Sequence, residues 1–135
     1  MQEASAIRDL VMRLYEAFSR GDPDLMEGLT SRQEGLVFIG TAPDEWLEDT
    51  ASIRRMLQAQ AGAGITVVPG EVRAYREGTV AWAADRGVFR LPDGSEIPFR
   101  LTAIFHQEDG GWKLIQEHAS IGVSNEEALG EELTG

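Results

Sequence analysis

The chain offers few groups for catalysis. It has two histidines, His106 and His118, and no cysteine, so thiolate chemistry, disulfides and cysteine-based zinc sites are excluded. The histidines are not at helical i, i+4 spacing, and a histidine metal site would need further ligands to converge on them. No metal and no cofactor is therefore expected. Histidine has an imidazole that titrates near neutrality, so His118 in an apolar setting would serve as an acid or a base. Asp85 and Arg86 interrupt the apolar run Val80-Ala81-Trp82-Ala83-Ala84. Neighbouring residues of a strand point to opposite faces, so one of these charges turns inward unless Gly87 introduces a bulge. An inward carboxylate would have a raised pKa and could act as a general base. The alternative is a surface ion network of Asp85, Arg86 and Arg100.

These residues need elements to position them. Ile7, Leu10, Val11, Leu14, Tyr15 and Phe18 form one apolar stripe at helical spacing, which predicts a helix over about residues 3–20 ending at Gly21. Asp22-Pro23 suits the cap and first turn of a short second helix through Leu29. Leu36-Val37-Phe38-Ile39 reads as a buried strand, and Ile53, Met56 and Leu57 mark a third helix over about 50–61, capped by Asp49 or Thr50. Residues 65–76, 79–91, 96–108 and 112–123 read as four strands, with Pro69-Gly70 breaking or bulging the first. The separators Glu77-Gly78, Pro92-Asp93-Gly94-Ser95 and Asp109-Gly110-Gly111 are short turns, so these strands run antiparallel to their neighbours.

Strand parity then sorts the candidates. Phe99, Ala103 and Phe105 share the more apolar face of their strand, which should meet the helices and leaves His106 on the outer side. If Trp112 and Leu114 face inward, so do Gln116, His118 and Ser120. If the parity is reversed, Glu117 enters instead.

Helices segregated from an antiparallel sheet make an α+β fold. A sheet of strands this long should curl around the N-terminal helices as a cone, with an apolar pocket at its open end. Length and composition fit one domain: 135 residues, 42% hydrophobic. Residues 1–125 form that domain and 126–135 an acidic tail expected to be disordered. The net charge is −11, from 23 acids against 12 bases. Asp44, Glu45, Glu48 and Asp49 in one loop, and Glu126, Glu127, Glu131 and Glu132 in the tail, carry most of that excess. Such acidity argues against nucleic acid and anionic membranes as partners. No apolar run is long enough for a membrane span, and Met1-Gln2-Glu3 lacks a signal-peptide start, so a cytoplasmic protein is expected.

The element order, together with Ile39-Gly40-Thr41-Ala42-Pro43-Asp44-Glu45-Trp46, Arg90-Leu91-Pro92-Asp93-Gly94, and the stretch from Phe99 to Phe105-His106 and on through Asp109-Gly110-Gly111-Trp112-Lys113-Leu114 to Ser120, resembles the nuclear-transport-factor-2-like superfamily, in its SnoaL-like group of small stand-alone bacterial domains. That resemblance implies a curved sheet, a cone-shaped pocket and a homodimer packed through the convex face. It implies either a cofactor-independent acid–base enzyme (isomerase, cyclase, dehydratase or hydratase) on a small, mostly apolar molecule, or a non-catalytic binding or association module. Ketosteroid isomerase, in the same superfamily, combines a carboxylate base with a tyrosine on the first helix. By that likeness Tyr15 would be a hydroxyl donor beside His118 and Asp85. Phe18, Trp46, Trp82, Phe99, Ala103 and Gln116 would shape the ligand site, with Trp46 as a lid or as an anchor for its loop.

Overall fold

In the computed structural model, residues 1–130 are described. Helix α1 (Ser5–Arg20) buries Ile7, Val11, Leu14 and Tyr15 along the apolar stripe. It stops at Gly21, whose φ of 60° is left-handed, so that its N–H donates to the Phe18 carbonyl. A two-residue strand, β1 (Gln2–Glu3), precedes it. Helix α2 (Pro23–Leu29) is capped by Asp22, whose side chain accepts from the Leu25 N–H at 3.1 Å. Helix α3 (Thr50–Gln60) is capped in the same way by Asp49 on the Ser52 N–H at 2.7 Å.

The remaining strands are β2 (Val37–Ile39), β3 (Trp46–Leu47), β4 (Thr66–Val68), β5 (Arg73–Glu77), β6 (Val80–Arg90), β7 (Glu96–Glu108) and β8 (Gly111–Ser120). They form one sheet in the order β1-β5-β6-β7-β8-β2-β3, with β4 also on β6. The antiparallel meander β5 to β8 matches the expectation from turn spacing. One pairing differs: β2 runs parallel to β8, with Phe38 opposite Glu117. Strand β2 is separated from β8 by most of the chain, so no hairpin dictates its direction. The expected strand 65–76 is two strands, both paired to β6, and Pro69-Gly70 lies in the gap between them.

The inner sheet face under α1 is paved with Ala74, Ala81, Ala83 and Ala103, all buried. These small side chains let the helix lie close to the sheet. Towards the other end of the strands, larger residues and the shorter helices hold the layers apart, and a cavity opens. Of the expected tail 126–135, a short helix, α4 (Asn125–Leu129), covers the first residues, capped by Ser124. Residues 131–135 lie outside the described residues. Among the described residues, no helix is long and apolar enough to cross a membrane.

Candidate functional site

The cavity has a volume of about 250 Å³ and an almost wholly apolar wall. Helix α1 contributes Tyr15 and Phe18, β6 contributes Phe89, β7 contributes Phe99, and β8 contributes Glu117. Four rings stand in series along it. Phe89 stacks on Phe99 with centroids 4.5 Å apart, Phe18 leans on Phe89 at 5.7 Å, and Tyr15 meets Phe99 edge-on at 5.9 Å. Gly87 is buried because the Phe99 ring fills the space a side chain would need: a Cβ there would lie 2.6 Å from Phe99 Cζ. The strand shows no register shift at Gly87, so no bulge intervenes and alternation runs unbroken from Ala81 through Phe89. Asp85 therefore points inward and Arg86 outward, opposite Arg100. The surface network that would have joined Asp85 to these arginines does not form.

Asp85 is buried, and its Oδ2 accepts from the Tyr15 hydroxyl at 2.6 Å and from the Gly70 N–H at 3.2 Å. Its Oδ1 is buried without a partner. The break at Pro69-Gly70 explains the second bond, since a backbone N–H released from the ladder turns onto a side chain instead. Burial first, then the bond to Asp85 and the charges of Asp85 and Glu117, push the Tyr15 phenol far above its usual range. Tyr15 is thus held as a phenol.

Glu117 is buried and has no hydrogen bond or ion pair among the described residues. Burial alone pushes its carboxyl up to about 8. A β-bulge puts it there. Phe105 pairs with Leu114, but Ile104 pairs with Gln116, so Ile115 is an extra residue. Leu114 faces inward before the bulge; Glu117 and Ala119 face inward after it. Parity carried through from Trp112 and Leu114 fails at this one residue. The correction reaches both candidates on that strand: His118 and Gln116 are exposed on the outer face, away from the cavity. Trp82 also faces outward, as an even-numbered residue of β6, and stacks on Tyr75. Trp46 is 60% exposed, donates its indole N–H to Glu48, and does not line the cavity. Ala103 belongs to the floor under α1. Tyr15, Phe18 and Phe99 line the cavity as expected, and Asp85 lies behind Tyr15.

A family profile described as a SnoaL-like domain matches residues 7–124. The chain belongs to this family. Solved structures agree with the fold of this SnoaL-like domain. A nuclear-transport-factor-2-like protein of unknown function from Pseudomonas putida is 16% identical, with 86% of this chain and 84% of that one covered and a TM-score of 0.75. A candidate calcium/calmodulin-dependent protein kinase II association domain from Xanthomonas campestris is 18% identical, with 90% and 95% covered and a TM-score of 0.75. A candidate dehydratase of the nuclear-transport-factor-2-like family from Streptomyces avermitilis is 19% identical, with 87% and 94% covered and a TM-score of 0.73. No functionally curated protein matches significantly.

The SnoaL-like domain has one further acid at its cavity, which the sequence offered only as part of an acidic loop. Glu45 folds back over Gly40 and joins the lining. A Cβ on Gly40 would lie 1.9 Å from Glu45 Oε2, so glycine is what admits the carboxyl. Burial, then the neighbouring Asp44, raises the Glu45 pKa. Among the described residues, no three histidine or acidic side chains converge as a metal ion would need.

Proposed function

We propose that the protein is a cofactor-independent acid–base enzyme acting on a small, mostly apolar molecule, of the isomerase, cyclase, dehydratase or hydratase type. The observation that carries this reading is the buried Glu117 carboxyl, with no hydrogen bond or ion pair among the described residues, on the same apolar cavity that the Tyr15 side chain lines. A carboxyl held near 8 exchanges its proton around neutral pH, where a general base or acid is most effective. In its ionised form Glu117 would take a proton from carbon next to a substrate carbonyl. The electron pair would move to the carbonyl oxygen, and Glu117 would return the proton to another carbon. Rotation of the Tyr15 hydroxyl away from Asp85 would bring its proton to that oxygen. Aligned Phe and Leu surfaces exclude water and favour an apolar body.

Deuterium exchange from heavy water into a panel of small apolar ketones and aminoketones tests this. The wild type should accelerate exchange at carbon, with a rate rising as pH passes through about 8. Glu117→Ala should lose about a hundredfold or more. A non-catalytic binding module is the second reading. It is favoured by one observation: the Tyr15 proton is already engaged by Asp85. Binding by the panel with no exchange above the uncatalysed rate would select that reading.

A homodimer would pack through the outer sheet face, a reading supported by the stacked Trp82 and Tyr75, with centroids 6.5 Å apart, and by the half-buried Ile104 and Ile115 there. Sedimentation at micromolar concentration should return a dimer; a monomer would remove this interface.

A further inference from the structure

The charge of the cavity lining is one-sided. Among the described residues its ionisable members are Tyr15, Glu45 and Glu117, and no lysine, arginine or histidine touches it. Glu117 is 6% exposed, lines the cavity and forms no hydrogen bond or ion pair with another described residue. Another acceptor of the same lining, Gln60 Oε1, is fully buried without a donor. Buried acceptors are normally paired, and an ionised buried carboxylate is costly unless a cation meets it. Around these acceptors stand the rings of Tyr15, Phe18, Phe89 and Phe99, with Phe89 and Phe99 stacked on each other. Ring faces are electron-rich and attract cations held over them, most strongly where water is excluded.

The two carboxyls lie on one wall. Phe38 pairs with Glu117 in the β2–β8 ladder, and Gly40, which carries Glu45 above it, is two residues further along the same face. That step corresponds to roughly 6–7 Å of strand. Glu45 therefore stands nearer the mouth and Glu117 deeper. An anion entering would meet two acids and no countercharge. A ligand without a hydrogen-bond donor would leave the deep acceptor unpaired, and a neutral donor would bring no charge to match the carboxylate. A cation with an apolar body would satisfy the carboxyl, the amide oxygen and the ring faces together.

We propose that the ligand of this cavity is an apolar amine, a hydrophobic body carrying one protonated nitrogen that pairs with Glu117 among the aromatic rings. This rests on the reading of the cavity as a small-molecule site and names the substrate class. Pairing moves the Glu117 proton to solvent and leaves a carboxylate beside the ligand, the form that can accept a proton from it. Glu45 at the mouth acts on selection: it draws cations in and turns carboxylates away.

Naphthylmethylamine, naphthylmethanol and naphthoate, all of one ring isomer, share a body and differ in charge. Titration calorimetry of the full chain near neutral pH should show the amine binding at least about tenfold more tightly than the alcohol, with no detectable binding of naphthoate. Repeating the amine titration in two buffers of different ionisation enthalpy should show proton release. Glu117→Gln should bring the amine to within about twofold of the alcohol and abolish proton release, while alcohol binding persists and reports an intact cavity. Equal binding of amine and alcohol by the wild type, or amine preference without proton release, would overturn the proposed class and leave the small-molecule site standing. Failure of all three probes to bind would overturn the site as well.

Discussion

Replacing Glu117 with Gln should make the protein more stable at pH 8.5 and leave stability nearly unchanged at pH 4.5. The sign follows from linkage. The folded pKa, about 8, lies above the ordinary carboxylate value of 4.5. Below 4.5 the group is protonated in both the folded and the unfolded chain and contributes nothing. Between 4.5 and about 8 the unfolded chain ionises while the folded chain does not, so stability falls as pH rises. Above about 8 both forms are ionised and the loss is complete. At about 1.4 kcal/mol for each pH unit, the full penalty is on the order of 5 kcal/mol. Gln keeps the size and does not ionise, so the variant escapes that penalty and a melting temperature higher by roughly 15 °C is expected at pH 8.5. Glu45, also raised, contributes a slope of the same sign to both proteins, so it cancels in the comparison. Asp49 and Asp93 are lowered by hydrogen bonds to Ser52 and Ser95, and their contribution is lost only as pH falls through the acid range. Urea titrations of both proteins across pH 4.5–9 provide the check. Parallel dependence of stability on pH in the two would mean Glu117 is not a buried neutral acid.

Such a stability cost is informative about function. A hydrophobic residue at 117 would pack against Ala103 and Phe38 without it. Stability alone gives no reason for a carboxyl there, while an acid–base or ion-pairing role does.

The helices were legible in the sequence because their signals are local. The stripe of α1, the caps Asp22 and Asp49, and the left-handed Gly21 each declare themselves within a few residues. The meander was legible from its turns. Along β6 alternation runs unbroken, yet in the sequence the direction of Asp85 stayed open and Trp82 was expected at the ligand site; in the fold Asp85 and Phe89 face inward and Trp82 outward. On β8 a single extra residue, Ile115, reversed the faces and exchanged His118 for Glu117. A bulge is decided by pairing with β7, a strand partner whose register local periodicity does not contain. Glu45 was hidden for a similar reason: its entry depends on Gly40 and on the turn between β2 and β3, whereas sequence offered only an acidic loop. Tyr15 and Asp85 were each visible singly, 70 residues apart, and their bond is a product of the fold.

Gly70→Ala should be among the most damaging single substitutions outside the apolar core. The reason is proximity, since Gly70 has no left-handed φ to protect. A Cβ there would lie 2.0 Å from the Arg86 carbonyl oxygen and 2.8 Å from Asp85 Oδ1. Both atoms are constrained: the first by the ladder of β6, the second by burial beneath α1. The gap between β4 and β5 must therefore open, and the Gly70 N–H then withdraws from Asp85 Oδ2. Asp85 would be left with Tyr15 as its sole donor, a buried carboxyl with most of its hydrogen-bonding capacity unmet. Steric displacement costs about 1–3 kcal/mol and a lost bond to a charged group about 1.5–3 kcal/mol, so a destabilisation of roughly 3 kcal/mol or more is expected. Gly28→Ala is the control, because a Cβ at that position in α2 meets nothing within 4 Å. It should be neutral or slightly stabilising, as Ala is the better helix former. Chemical denaturation of both variants measures the difference. The displacement should also reach the cavity, because Asp85 sets the orientation of Tyr15. A Gly70→Ala protein as stable as Gly28→Ala would show that the close approach of this backbone to Asp85 is not part of the folded state, and the support for Tyr15 would have to be sought elsewhere.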